Sequence, residues 1–205
     1  MGVLSGSISY TLFHVEGDAL DVTREEWLGR IAEFQFQPLL PDSEEDLSMG
    51  WVRVDDMLRW DFTKDAVFRD DYLLLTLRTD RWSLPAALLR ATIQQRIDAF
   101  AVERGRVRLS RTERDTIRET VRREFKERML PSAGAVDMVW NIARGELRFW
   151  SQSKGAKESF QELFEATFDC RIHENGPYMA ARALPLTDDE IKALADIEYT
   201  DFVGE

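Results

Sequence analysis

The side chains best suited to chemistry in this sequence are arginines. Arg111, Arg114, Arg118 and Arg122 recur every three or four residues, Arg123 and Lys126 follow, and Arg104, Arg106 and Arg108 lie just upstream. On a helix turning 100° per residue the first four fall within about 80° of one another, with Lys126 just beyond, so they make one cationic stripe. Guanidinium groups present planar, multidentate donors to phosphate oxygens, and a row of them would hold a nucleic-acid backbone without reading its bases. The same stripe could instead pair with acidic surface of its own chain or stay solvated. Consecutive cations at i, i+4 repel by roughly 0.2–0.5 kcal/mol per pair, and a helix charged only for solubility usually interleaves signs.

Hydrolytic chemistry has weaker candidates. Asp137 with Glu146 and Arg148 resembles the carboxylate pair plus basic residue that holds a metal and activates water in some nucleases. Arg148 cannot give up a proton, so a solvated hairpin face is the expected role. His14 and His173 lack metal-ligand spacing, and Cys170 is expected to be a buried, inert thiol. Asp42, Glu44, Glu45 and Asp46 lack the glycine and terminal glutamate of a calcium loop. There is no Gly-rich phosphate loop and no G-x-S-x-G elbow. Tryptophans 27, 51, 60, 82, 140 and 150 read as core or interface anchors rather than base-stacking platforms. The expectation is a binding protein, not an enzyme, with no cofactor or metal.

The 205 residues are 44% hydrophobic, and their 27 basic and 38 acidic side chains give a net charge of −11. That net value opposes nucleic acid, but its distribution does not. Residues 1–89 carry 8 basic and 17 acidic side chains and residues 131–205 carry 7 and 14, whereas residues 90–130 carry 12 and 7. A segment of +5 therefore sits in a chain that is otherwise −16. No apolar run reaches the length of a membrane span, and the N-terminus lacks a secretory pattern. Gly6 stands where a myristoylation site needs Ser or Thr. One cysteine excludes an internal disulfide and suits a reducing cytoplasm.

The elements that must position the stripe follow from pattern. Ser7–Val15 alternates like a strand, and Thr23 with Glu26 forms a capping box before a helix carrying Trp27, Ile31 and Phe34. Prolines 38 and 41 and the acidic run to Asp46 read as a loop. Trp51–Val54, Met57–Phe62 and Asp71–Arg78 are strand candidates. Pro85 opens a helix to about Glu103 with Leu89, Ile93, Ile97 and Phe100 on one face, Gly105 breaks it, and Ser110 caps a second helix, Arg111–Met129. Val136–Ile142 and Glu146–Ser151 form a hairpin around Arg144-Gly145, and Ser153 caps a helix carrying Phe160, Leu163, Phe164 and Phe168. Cys170–His173 and Tyr178–Leu184 are further strands, and Thr187 with Glu190 caps a terminal helix. Strands in hairpins and helices in pairs predict an α+β fold with antiparallel sheet, one domain over 1–205, with the helical pair 84–130 protruding.

Several of these segments carry a family resemblance. Met49-Gly50-Trp51-Val52, Leu84-Pro85 opening a helix, Leu109 to Asp115 opening the next, Met129-Leu130-Pro131, and Met138-Val139-Trp140 resemble, in order and spacing, the recombination-associated protein RdgC family. The chain is similar to a short member of it. Relatives commonly carry a basic residue and a phenylalanine after the second Leu-Pro, where this chain has Ser132-Ala133-Gly134. The resemblance implies a bacterial nucleoid protein in the cytoplasm that binds mainly double-stranded DNA without sequence preference. It also implies a ring-shaped homodimer that restrains RecA-driven strand exchange. Some members carry an exonuclease label. An alternative class remains open: an acidic interaction module or DNA mimic that docks on a basic recombination or nucleoid partner. A metal-dependent exonuclease is the third reading.

Overall fold

The computed structural model of the chain describes residues 2–4, 9–17, 22–105, 108–176 and 186–195. Its strands are β1 (Thr11–Glu16), β2 (Leu47–Val52), β3 (Phe68–Arg69), β4 (Tyr72–Arg81), β5 (Ser132–Asn141), β6 (Glu146–Phe149) and β7 (Arg171–Glu174). The helices are α1 (Arg24–Glu33), α2 (Lys64–Val67), α3 (Ala86–Glu103), α4 (Arg111–Arg128), α5 (Lys154–Phe168) and α6 (Asp188–Ala195). The fold is α+β with antiparallel strands, as the order of patterns predicts. Two compact units share the chain, the first formed by residues 1–34, 52–77 and 136–205 and the second by 35–51 and 78–135. The long strands β4 and β5 run from one into the other.

In the first unit the strand order is β4-β5-β6-β1-β7, with β3 paired to β4. The predicted hairpin forms: Trp140 faces Leu147 and Met138 faces Phe149 across β5 and β6. Its turn needs Gly145, whose φ is +64° and where a Cβ would come 3.1 Å from the Val15 carbonyl oxygen. β1 pairs with β6 and β7 on its two sides, and its alternation sends Thr11, Phe13 and Val15 inward. Against that inner face lies α5, whose Phe160, Leu163, Phe164 and Phe168 follow helical spacing and are all buried. Phe149 and Phe160 stack with ring centroids 4.0 Å apart, and Trp140 meets Trp27, Phe164 and Phe168 edge-on at 5.2–5.5 Å. Such pairs add about 0.5–1.5 kcal/mol each beyond the burial of their surfaces. The reading of Trp27 and Trp140 as core anchors is correct.

α1 starts where the sequence says it should. Thr23 Oγ1 accepts the Glu26 N–H, and the Glu26 carboxylate accepts the Thr23 N–H at 2.8 Å and the Thr23 hydroxyl at 2.9 Å, two bonds that hold the carboxyl below its ordinary pKa. The same box recurs at α6, between Thr187 and Glu190. Residues 57–62 differ from expectation: they form a loop rather than a strand. Their charges are satisfied locally, with Arg53 donating to Asp55 and Asp61, and Arg59 to Asp61, at 2.6–3.3 Å. The alternation of Leu58, Trp60 and Phe62 is thus coincidental, and Leu58 is exposed. Ser7 and Ile8 of the first predicted strand, and Tyr178–Leu184, lie outside the described residues.

In the second unit, β2 and the ends of β4 and β5 accompany the helical pair. Phe36, Trp51, Trp82, Leu109 and Val121 are buried here. Residue 35 bridges Trp51 in parallel, and the Phe36 N–H donates to the Trp51 carbonyl at 3.0 Å. This close approach requires Gly50, where a Cβ would lie 2.5 Å from the Phe36 backbone. α3 and α4 form an antiparallel hairpin closed by ion pairs from Arg96 to Glu124 at 3.0 Å and from Arg104 to Glu113 at 3.6 Å. The predicted apolar face of α3 exists, but it is only partly covered: no residue of α3 is buried, and Leu88 and Val102 are exposed.

Candidate nucleic-acid interface

α4 carries the predicted cationic stripe, and its start is well defined. Ser110 Oγ accepts the Glu113 N–H at 3.2 Å, and the Glu113 carboxylate accepts the Ser110 N–H at 2.8 Å. The cap fixes the first turn, and the exposed amide dipoles at that end add positive potential to the arginines around it.

The stripe is graded along its length. Towards the N-terminal end, Arg111 is 93% exposed and meets Asp115 only loosely, at 3.8 Å. Arg108 and Arg114 are exposed and have no ion pair among the described residues. Arg104 lies over the Phe100 ring, 4.7 Å from its centroid, and pairs with Glu113. Arg118 binds Asp115 at 2.6 Å, so this guanidinium is partly neutralised from the edge of the stripe. Arg123 is exposed and lies 3.7 Å from Glu127. Arg106 lies outside the described residues.

The C-terminal end is occupied by the protein itself. Arg122 is paired with the Asp46 carboxylate. Lys126 is 3% exposed: its ammonium donates to the Ser43 carbonyl at 2.8 Å and the Glu45 carbonyl at 3.3 Å, and stands 3.2 Å from Asp46 Oδ1. Lys126 was expected on the solvent-facing stripe, but its angular position carries it beneath the acidic loop, where it acts as a structural clamp. The acidic run 42–46, expected to be a solvated loop, folds back on α4 and lines a cleft of about 640 Å³ with Thr116, Arg122 and Arg123. Asp46 is the residue that sequence reasoning did not connect to the stripe. It is 76 positions from Arg122, and no local pattern links the two.

The hydrolytic candidates are not brought together. Glu146 faces Asn141 across the β5–β6 ladder, so Asp137 lies four positions further along, about 13 Å away at the rise of a strand. The Asp137 carboxylate is already engaged, accepting the Val3 N–H at 2.8 Å and the Thr76 hydroxyl at 2.6 Å. Glu146 lies 3.4 Å from Arg148. Cys170 is buried, as expected. His14 and His173 are cross-strand neighbours on β1 and β7, and His173 Nε2 lies 3.0 Å from Glu16. Among the described residues no three His, Cys, Asp or Glu side chains are grouped to hold a metal ion, and no helix is long and apolar enough to cross a membrane.

No curated protein matches the chain. A protein-family model described as "Putative exonuclease, RdgC" matches residues 10–188, a span that includes β1, both helices of the hairpin and the β5–β6 turn. The chain belongs to the RdgC family.

Proposed function

We propose that the protein binds double-stranded DNA without sequence preference, through the end of the α3–α4 hairpin, and that it restrains RecA-driven recombination as a homo-oligomer in the cytoplasmic nucleoid. The observation that carries the reading is the cluster of exposed arginines at 108, 111 and 114, only weakly neutralised by carboxylates, on a chain that is otherwise strongly acidic. Arg118 extends it, because its pair with Asp115 is solvent-exposed and such pairs exchange readily for a phosphate. Acidic surface elsewhere restricts DNA to this end, since backbone phosphates are repelled from the rest of the chain.

The proposed role is binding rather than hydrolysis. Support comes from the separation of Asp137 and Glu146, which cannot share one metal ion at about 13 Å. Incubating DNA with the protein in magnesium or manganese should leave it intact. Digestion that disappears in Asp137→Ala or Glu146→Ala would establish the nuclease instead.

Gel-shift titration of a duplex of arbitrary sequence tests the DNA reading. Charge reversal at Arg111, Arg114 and Arg118 together should abolish the shift for every sequence alike, and an unaltered shift would overturn the assignment. The acidic-module reading rests on the −16 outside residues 90–130. It predicts that a recombination or nucleoid protein stays bound after nuclease treatment.

A further inference from the structure

The loop 42–46 meets the stripe of α4 in a way that a solvated acidic turn would not. Its backbone is pinned: the Trp82 N–H donates to the Asp46 carbonyl at 2.9 Å, and Lys126 holds the Ser43 and Glu45 carbonyls. The Asp46 carboxylate is thereby aimed at Arg122, with one oxygen on the guanidinium and the other 3.2 Å from Lys126. This is how a guanidinium would take a phosphate oxygen. We propose that Asp46 is an autoinhibitory phosphate mimic that withholds Arg122 from DNA and confines the phosphate footprint to the N-terminal half of α4. The proposal rests on reading α4 as a phosphate-contact surface.

The geometry makes the competition a matter of one carboxylate. Lys126 is buried and is held by the Ser43 and Glu45 carbonyls as well as by Asp46. Arg122 is about half exposed, so once released its fork reaches solvent. Its position on the helix continues the line of Arg111, Arg114 and Arg118. Asp42 and Glu44, from the same loop, line the cleft beside Arg123 and keep the local field unfavourable to a phosphate while the loop is charged. A neutral residue at 46 would therefore add one phosphate contact to the footprint.

The test is a salt titration of duplex binding by the full chain and four variants, with circular dichroism melts on each. Asp46→Asn should steepen the slope of log K against log salt by about 0.9, one phosphate's worth, so that its advantage over wild type is about 3.5-fold larger at 50 mM salt than at 200 mM. Asp46→Asn/Arg122→Gln should return to the wild-type slope. Arg122→Gln in the wild-type background should change the slope little, because that guanidinium is already occupied. Glu44→Gln, which removes the same charge from the same loop without touching Arg122, should leave the slope unchanged. Should Arg122→Gln alone make the slope shallower by about 0.9, Arg122 already contacts DNA and the inhibition is refuted. Equal slopes for wild type and Asp46→Asn would also refute it while leaving DNA binding at the hairpin end intact. Absence of binding by every protein at low salt would overturn both.

Discussion

Lys126→Met should weaken the fold without making the salt slope of DNA binding any shallower, the reverse of what its place in a cationic stripe suggests. Methionine fills nearly the same volume, so packing changes little. What is lost is the ammonium's bond to the Ser43 carbonyl at 2.8 Å, its longer bond to the Glu45 carbonyl and its pairing with Asp46. A hydrogen bond from a charged donor contributes about 1.5–3 kcal/mol net. Water can reach part of the 43–46 loop and rehydrate those carbonyls, so we expect a loss of about 2 kcal/mol in all, or roughly 4–8 °C in Tm for a chain of this length. Urea melts followed by circular dichroism give the first quantity, and salt titration of duplex binding gives the second. Arg114→Gln should behave oppositely, with stability within about 0.5 kcal/mol of wild type and a salt slope shallower by about 0.9. A Lys126→Met protein with unchanged melting and a shallower slope would show that Lys126 reaches DNA and that the clamp is misread.

Other perturbations test the scaffold. Gly50→Ala places a methyl group 2.5 Å from the Phe36 backbone and should destabilise by about 1–3 kcal/mol in urea melts; an unchanged midpoint would contradict the close approach of residues 35–36 to β2. Ser110→Ala removes the acceptor for the Glu113 N–H and should cost about 1 kcal/mol, with faster hydrogen exchange in the first turn of α4 and normal exchange elsewhere. The hydrogen bond from Arg53 holds the Asp55 carboxyl below its ordinary range, and that from Arg59 does the same for Asp61. With folded values depressed, their stabilisation is present above the unfolded value of about 3.9 and disappears as pH falls through the folded ones. The Tm gap between wild type and Arg53→Gln should therefore be constant from pH 5 to 7, begin to narrow near pH 4 and close below the folded values. A gap undiminished at pH 2.5 would show that Arg53 acts through packing instead.

Local signals carried most of the fold. The Thr23 and Thr187 capping boxes and the Ser110 cap located three helix starts because each signal is complete within four residues. Gly145 located the β5–β6 turn because its positive φ is a property of one residue. Periodicity failed where a pattern had no partner. The apolar alternation of 57–62 sits in a loop tied by arginine–aspartate pairs, and the apolar face of α3 is only partly covered. The site was legible to the same degree. Helical spacing identified the stripe, but the burial of Lys126 and the pairing of Arg122 depend on a loop some 80 positions away. The separation of about 13 Å between Asp137 and Glu146 follows from strand register, which a hairpin pattern only approximates. The meeting of His14 with His173 joins strands at opposite ends of the chain, beyond any spacing rule.

The most direct test of the central claim is the salt dependence of duplex binding by the wild-type chain. If Arg108, Arg111, Arg114 and Arg118 each neutralise one phosphate, log K should fall against log salt with a slope of about −3.6 per bound chain, equally for unrelated sequences. Failure to bind at 50 mM salt, or a slope unchanged when those four arginines are replaced by glutamine, would contradict it.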